Sequence, residues 1–345
     1  MIVIGCGNMG ASHARAYVRN EGFELAGLVD RSRPVAERLS KEFGDTPLYA
    51  SFDEALASAK PDAVAICTYP ETHHEFTRKA LYAGLHVFVE KPLAGSVDEA
   101  EDIVRTARET GRAVIVGYIL RHHPAWQRFI EEARQLGKPL VMRMNLNQQS
   151  SGKEWEVHKS LMHSMSPIVD CGVHYVDVMC QMTQARPVRV QAIGARLTEE
   201  ISESMYNYAH LHVVFEDGSV GWYEAGWGPM MSQTAYFVKD VIGPKGCISI
   251  AEPRAEKLGE SSDIDSHTKT NSLIKHDAAS MENTTINTSD EPDHQELCNR
   301  EQAYFLRAIR EDLDLRDHLG DAINSLRIVL AADRSVRTGT VVHLE

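Results

Sequence analysis

The chain has 345 residues, with 36 Lys and Arg against 49 Asp and Glu, a formal net charge of −13. At roughly 100–200 residues per domain, that length predicts two domains and material for a sizeable core. The acidic balance and the lack of any Lys/Arg block argue against a nucleic-acid partner, which needs a concentrated basic face, while leaving room for a local phosphate pocket.

Up to residue 120, short β-rich runs at 1–4, 25–29, 63–67, 86–89 and 113–116 alternate with helical stripes. Ala11, Ala14, Tyr17 and Val18 form one such stripe, Val35 and Leu39 another, and Val97, Ala100, Ile103, Val104 and Ala107 a third. Strands that alternate with amphipathic helices predict βαβ units and a doubly wound parallel sheet, an α/β domain over 1–120.

From 121 to 345 the character changes. An amphipathic helix marked by Trp126, Phe129, Ile130 and Ala133 is followed by a strand in which Leu140, Met142, Met144 and Leu146 alternate with more polar neighbours. A helix is expected over 167–182, with Pro167 in its first turn. Strands follow at 188–197, 208–215 and 220–227, the last two joined by the turn Glu216-Asp217-Gly218-Ser219. Two more, at 235–242 and 247–250, flank Gly243-Pro244-Lys245-Gly246. This predicts an α+β domain with a large, mostly antiparallel sheet. Residues 252–295 are polar and irregular, and read as an active-site loop, a partner-contacting excursion or a disordered insertion; helices resume at 295–310 and 319–337.

The six cysteines (Cys6, Cys67, Cys171, Cys180, Cys247 and Cys298) include no C-x-x-C pair, so neither a metal site nor a disulfide framework is expected. No stretch approaches the roughly 18 apolar residues of a membrane span, and Met1-Ile2-Val3-Ile4 opens on a strand without a charged signal-peptide start. A cytoplasmic enzyme with no membrane partner is the expectation. Leu344-Glu345 has the look of a cloning remnant.

The sharpest motif is Gly5-Cys6-Gly7-Asn8-Met9-Gly10, a G-x-G-x-x-G between a strand and a helix. Gly5 allows the tight turn, Gly7 admits a pyrophosphate to the backbone, and Gly10 packs the helix on the strand, with phosphate on the helix N-terminus beside Asn8 and Met9. Asp30 stands 20 residues past Gly10, at the end of the second strand, where a carboxylate accepts hydrogen bonds from an adenosine ribose. That favours NAD over NADP, although Arg31, Ser32 and Arg33 leave NADP open because a guanidinium can grip a 2′-phosphate. The bland alternative for Asp30 is an ordinary cap of the βα turn.

Two segments add chemistry. Glu90-Lys91-Pro92 puts a lysine at the carboxyl end of a parallel strand, where ligands bind in open α/β sheets. About 80 residues later, Asp170 and His174 stand at i and i+4 of a predicted helix that also carries Asp177. Oxidising an alcohol needs a base for the hydroxyl proton, and imidazole has the unperturbed pKa nearest neutrality. His174 is therefore read as general acid/base, Asp170 as substrate anchor, and Lys91 as the charge that stabilises a developing alkoxide. Lys91 as the base is the alternative, and Asp177 is read as structural.

These motifs, with Thr68-Tyr69-Pro70-Glu71-Thr72-His73 and the stretch from Gly117 to Arg121, resemble the glucose–fructose oxidoreductase, inositol dehydrogenase and rhizopine-catabolism (Gfo/Idh/MocA) oxidoreductases over nearly the whole chain. The resemblance implies a Rossmann NAD(P)-binding domain followed by a substrate-binding and oligomerisation domain. It implies that Lys91 meets both the substrate hydroxyl and the nicotinamide ribose, and that Asp170 and His174 line a sugar pocket. Thr68, His73 and Glu90 fall where the family contacts or supports the dinucleotide, and Arg121 near the nicotinamide. A homodimer or homotetramer paired through the second domain's sheet is implied as well.

One departure is His163-Ser164-Met165-Ser166-Pro167, where many relatives are glycine-rich. Trp155 is a candidate for stacking on a sugar, or equally for core packing, and His158, Lys159 and His163 are candidate polar contacts; Trp222 and Trp227 are assigned to the sheet. The function read from these residues is hydride transfer between NAD(P) and a secondary hydroxyl of a sugar, sugar derivative or cyclitol. A redox-neutral glycosidase that oxidises C3 transiently, with His158 or His163 as an extra base, is the alternative. A non-catalytic nucleotide sensor is the third reading, and the retention of Lys91, Asp170 and His174 speaks against it.

Overall fold

The computed structural model describes residues 1–232, 238–251, 268–288 and 291–344. Its first compact unit comprises Met1–Ile119 with Gln295–Ile323, and its second Leu120–His294 with Asn324–Glu345. Residues 295–323, expected in the second domain, group with the first unit.

The first unit holds strands β1 (Ile2–Ile4), β2 (Gly27–Val29), β3 (Leu48–Tyr49), β4 (Ala63–Ile66), β5 (His86–Val89) and β6 (Val114–Val116). Helices α1 (Asn8–Arg19), α2 (Arg33–Glu42), α3 (Phe52–Ala59), α4 (His73–Tyr82) and α5 (Val97–Thr110) connect them. The sheet order is β3-β2-β1-β4-β5-β6 and every pairing is parallel. Residues of β1, β2, β4 and β6 are buried throughout, the near-continuous apolar pattern of strands covered on both faces. The order reverses between β1 and β4, which makes the carboxyl ends of those two strands the ligand-binding crevice of such a sheet. The two-residue β3 was not read from the sequence; it is too short to show a period.

Ser51 and Ser96 cap α3 and α5 by accepting from the Glu54 and Glu99 backbone N–H groups, and each of these helices carries two acids in its first turn. Helix α1, like α2, has neither a capping side-chain bond nor a first-turn acid, and its start on Gly7 directly after β1 leaves its free N–H groups and positive dipole end for an anion.

The second unit contains α6 (Pro124–Gln135), β7 (Val141–Gln148), α7 (Gly152–Leu161), α8 (Pro167–Asp170) and α9 (Gly172–Thr183). Strands β8 (Pro187–Ala195), β9 (Tyr208–Phe215), β10 (Val220–Trp227), β11 (Lys239–Gly243), β12 (Gly246–Ile250), β13 (Ser272–Asp277) and β14 (Asn283–Asn287) follow. Helices α10 (His294–Glu311) and α11 (Arg316–Thr338) and the short β15 (Val342–His343) close the chain. The sheet runs β14-β13-β12-β11-β7-β10-β9-β8-β15, antiparallel except where β10 pairs with β7. The two-domain fold class expected from the sequence, a parallel-sheet domain followed by one with a mostly antiparallel sheet, is the one observed. Among the described residues no helix is long and apolar enough to cross a membrane.

Three expectations are corrected. The single helix expected over 167–182 is two, α8 and α9, joined at Cys171. Part of the segment taken as irregular is a hairpin, β13 against β14; its exposed, polar β14 carries no apolar alternation to mark it. The strand expected from 235 begins at Lys239 among the described residues; 235–237, 252–267 and Glu345 lie outside them.

Almost every residue of α9 is buried against the sheet and α6. Trp126, Phe129 and Ile130 of α6 supply the large side chains of that core, each worth roughly 1.5–3 kcal/mol of burial. Gly172 lets α9 approach β10, since a Cβ there would lie 2.9 Å from the Tyr223 ring.

Candidate active site

In the first unit the glycine loop follows β1. Gly5 has φ +89°, and a Cβ on it would stand 2.3 Å from the Cys67 carbonyl oxygen. A Cβ on Gly10 would meet the Gly5 carbonyl oxygen at 1.8 Å, whereas one on Gly7 would meet nothing within 4 Å. Gly5 and Gly10 are thus glycine for the fold's sake, and Gly7 faces open space at the uncapped start of α1. That cradle fits a dinucleotide pyrophosphate, which Gly7, Asn8 and Met9 would hold through backbone N–H groups.

Asp30 braces the loop. One carboxylate oxygen accepts from the Cys6 N–H at 2.7 Å and the other from the Ser32 N–H at 2.6 Å. The βα-turn role is therefore real, yet a carboxylate has about four acceptor sites and two remain for a ribose diol. The Arg31 guanidinium lies 5.9 Å from the exposed Tyr69 ring, and Arg33 pairs with Glu37 at 2.8 Å. Burial, with Asp30 nearby, pushes the Cys6 thiol up to about 12, so it is no nucleophile.

The loops after β4 and β5 are tied together. Thr72 Oγ1 donates to Thr68 Oγ1 at 2.7 Å. His73 is fully buried, with Nδ1 2.7 Å from the Pro92 carbonyl oxygen and Nε2 3.0 Å from that of Thr68. Burial lowers its pKa, against the pull of the two carbonyls. The ring is enclosed and ties the two loops to each other, the supporting kind of role among those expected of it. Glu90, also buried, meets His13 Nε2 with Oε1 at 2.7 Å and accepts the Lys91 N–H with Oε2 at 3.2 Å. Lys91 is half-buried. The sequence reading missed His13, which stands on the buried face of α1, one turn past Gly10.

In the second unit, Asp170 ends α8 and His174 stands in the first turn of α9, both half-buried. Ser166 caps α8 and donates to Asp333 Oδ1 at 2.6 Å, while Tyr206 also donates to Asp333, fixing the start of α8 on α11. Around the junction, Gln148 Oε1 accepts from Trp227 Nε1 at 2.8 Å and from Cys171 Sγ at 3.5 Å, and Cys171 Sγ lies 3.7 Å from Asp170 Oδ2. The Tyr223 hydroxyl is buried with no partner among the described residues, and its pKa is driven up chiefly by burial.

His158 stacks on Trp227 at 4.5 Å and meets Ser150 Oγ at 2.8 Å; burial pulls its pKa down to about 4 despite the attraction of Asp170. Trp155 is buried and donates to Glu200 at 3.2 Å. Lys159 pairs with Glu156 and Glu200, and His163 is exposed. Arg121 holds Asp177 in a fork of two bonds, at 2.9 and 2.5 Å. Among the described residues no cluster of His, Cys, Asp or Glu could hold a metal ion.

Comparison with known proteins assigns both halves of the chain to one family. Residues 1–118 match the model of an oxidoreductase family with an NAD-binding Rossmann fold, and residues 128–249 match the GFO/IDH/MocA C-terminal domain. The chain is 29% identical to scyllo-inositol 2-dehydrogenase (NAD(+)) of Bacillus subtilis, over 74% of this chain and 75% of that protein. It is 31% identical to UDP-N-acetylglucosamine 3-dehydrogenase of Acidithiobacillus ferrooxidans, over 56% of each chain, so it spans only about half of that relative. Among solved structures, an oxidoreductase domain protein from Kribbella flavida superposes with a TM-score of 0.83 at 20% identity, covering 100% of this chain and 98% of that one, which supports the fold. The chain belongs to the Gfo/Idh/MocA family of NAD-binding oxidoreductases and is a dehydrogenase acting on CH–OH groups.

Proposed function

We propose that this chain transfers a hydride between NAD and a secondary hydroxyl of a sugar, a sugar derivative or a cyclitol. The observation that carries the reading is the retention of Lys91, Asp170 and His174 together, each on a locally braced turn rather than on a free surface. When bound, the nicotinamide supplies the hydride acceptor. Lys91 offers a positive charge to the oxygen as it gains alkoxide character, His174 takes the hydroxyl proton, and Asp170 accepts a hydrogen bond from the substrate and orients it. Asp30, with two acceptor sites left, favours NAD because a 2′-phosphate would meet its carboxylate.

The redox-neutral glycosidase reading needs one more base. His158, with a pKa of about 4 and a ring held between Trp227 and Ser150, is a weak one, which leaves the exposed His163 as the candidate for that reading. The nucleotide-sensor reading leaves the three retained polar residues without a task. For assembly, the outward face of the second unit's sheet exposes Val220, Val141 and Ile242 side by side on three adjacent strands, an apolar row suited to a second copy of the chain.

The test is reduced-nicotinamide absorbance with a panel of inositols, sugars, nucleotide sugars and aryl glycosides, using NAD and NADP in parallel. Sustained NADH formation from a cyclitol or sugar is the expected result. Aglycone release with no net NADH would replace this reading with the glycosidase.

A further inference from the structure

The Lys91 turn is gripped on both sides by buried imidazoles from two different helices. Before it, Glu90 carries a carboxylate that is only 6% exposed and is met by His13 of α1. After it, the Pro92 carbonyl is met by His73 of α4. His13 is itself held from a distant part of the chain: its Nδ1 lies 2.9 Å from Gln302 Nε2 of α10, and Gln302 Oε1 accepts from the Tyr17 hydroxyl at 2.6 Å.

This chain of contacts has one consistent set of donors for a neutral ring. The Tyr17 O–H donates to the amide oxygen of Gln302, so the amide NH₂ of Gln302 faces His13 Nδ1, which accepts. The ring proton then sits on Nε2, aimed at the Glu90 carboxylate, whose other oxygen holds the Lys91 N–H. Tyr17, His13 and Gln302 are all fully buried. Buried polar chains of this kind seldom add stability over apolar side chains of equal volume. What this one does supply is a fixed place for the Glu90 carboxylate, and through it for the Lys91 backbone.

We propose that His13 and His73 are positioning residues that clamp the Lys91 turn from its two sides, with Gln302 and Tyr17 setting the His13 ring. The inference rests on the role given to Lys91 above and adds what holds that residue in register.

The experiment follows Lys91 itself and needs no substrate. An amine-reactive reagent labels the full-length protein with and without NAD, and mass spectrometry gives the Lys91 rate relative to Lys41, Lys60 and Lys79 of the same unit. His13→Phe keeps a ring of similar size without nitrogens, Gln302→Leu leaves His13 but removes its donor, and Leu39→Ala removes buried core elsewhere in the unit as a stability control. In His13→Phe the Lys91 ratio changes by about threefold or more and NAD protection weakens, because small displacements at a positioned group have large effects. Gln302→Leu moves the ratio the same way by a smaller factor, and Leu39→Ala leaves it unchanged. A Lys91 ratio in His13→Phe equal to wild type, or equal to that in Leu39→Ala, overturns the clamp. If His13→Phe fails to fold, an unchanged ratio in Gln302→Leu overturns it. NADH formation from the sugar panel is a separate readout, so failure of the clamp and failure of the functional reading are told apart.

Discussion

The Lys91 turn and the Asp170–His174 junction are held by different kinds of contact. Around Lys91 the ties run to backbone atoms and through one closed chain of buried donors: Glu90 to the Lys91 N–H, His73 to the Pro92 and Thr68 carbonyls, and Gln302 to His13 to Glu90. Around Asp170 the ties are side chain to side chain, among Gln148, Cys171, Trp227, His158 and Ser150, drawn from α7, β7, α9 and β10 and the segments that join them. A backbone-held turn tolerates little change in sequence, because its partners are common to every residue type only if the chain path is kept. A side-chain mosaic can be rebuilt residue by residue, which is how a shared cofactor half can serve many substrates.

The sharpest way to break this comparison is to remove one polar side chain from each region. Lys91→Ala and His174→Ala should each lower kcat by about 10²–10⁴-fold, measured by steady-state NADH formation on the substrate that the panel identifies, with thermal unfolding unchanged. Next in size is a pair of glycine substitutions. Gly7→Ala has room for its Cβ and should keep the melting temperature while weakening NAD by about tenfold or more, roughly 1.4 kcal/mol by titration calorimetry. Gly10→Ala has no room and should cost about 1–3 kcal/mol of stability in urea unfolding, or fail to yield soluble protein.

A smaller effect separates the regions by pH. Burial depresses His158 to about 4 and, with Arg121 beside it, His122 to about 3, both in the second unit. Between pH 6.5 and those values the unfolded chain binds protons that the folded chain refuses, so stability is lost as pH falls through that window. At ~1.4 kcal/mol per unit, His158 accounts for up to about 3 kcal/mol of it. His158→Gln should flatten the dependence of urea midpoint on pH below 6.5. The smallest expected change is on the outward face of the sheet's central strands: Asp240→Asn breaks the partly exposed pair between β11 and Arg143 of β7 and should shift stability by less than about 1 kcal/mol in the same assay.

Legibility in the sequence followed the same division. The glycine loop, Asp30 and Glu90-Lys91-Pro92 stand out because turn geometry and strand ends demand particular residue types at fixed spacing. The parallel sheet was readable from its wholly apolar strands, apart from β3, which has two residues. His13 escaped notice because a histidine on a buried helix face has no local signature; its partner Gln302 is 289 residues away. In the second unit, Asp170 and His174 were found by motif, but Gln148 and Tyr223 were not, since their importance depends on which strands become neighbours. The partners of Trp155 and Arg121 were out of reach for the same reason: Glu200 and Asp177 are 45 and 56 residues distant.

The central claim, direct hydride transfer from a secondary alcohol, is tested most directly with the panel's best substrate deuterated at its carbinol carbon. The account predicts that the label appears on the reduced nicotinamide and that turnover slows with deuterium when chemistry limits the rate. Product formed with the label retained on the sugar and none on the nicotinamide would contradict it.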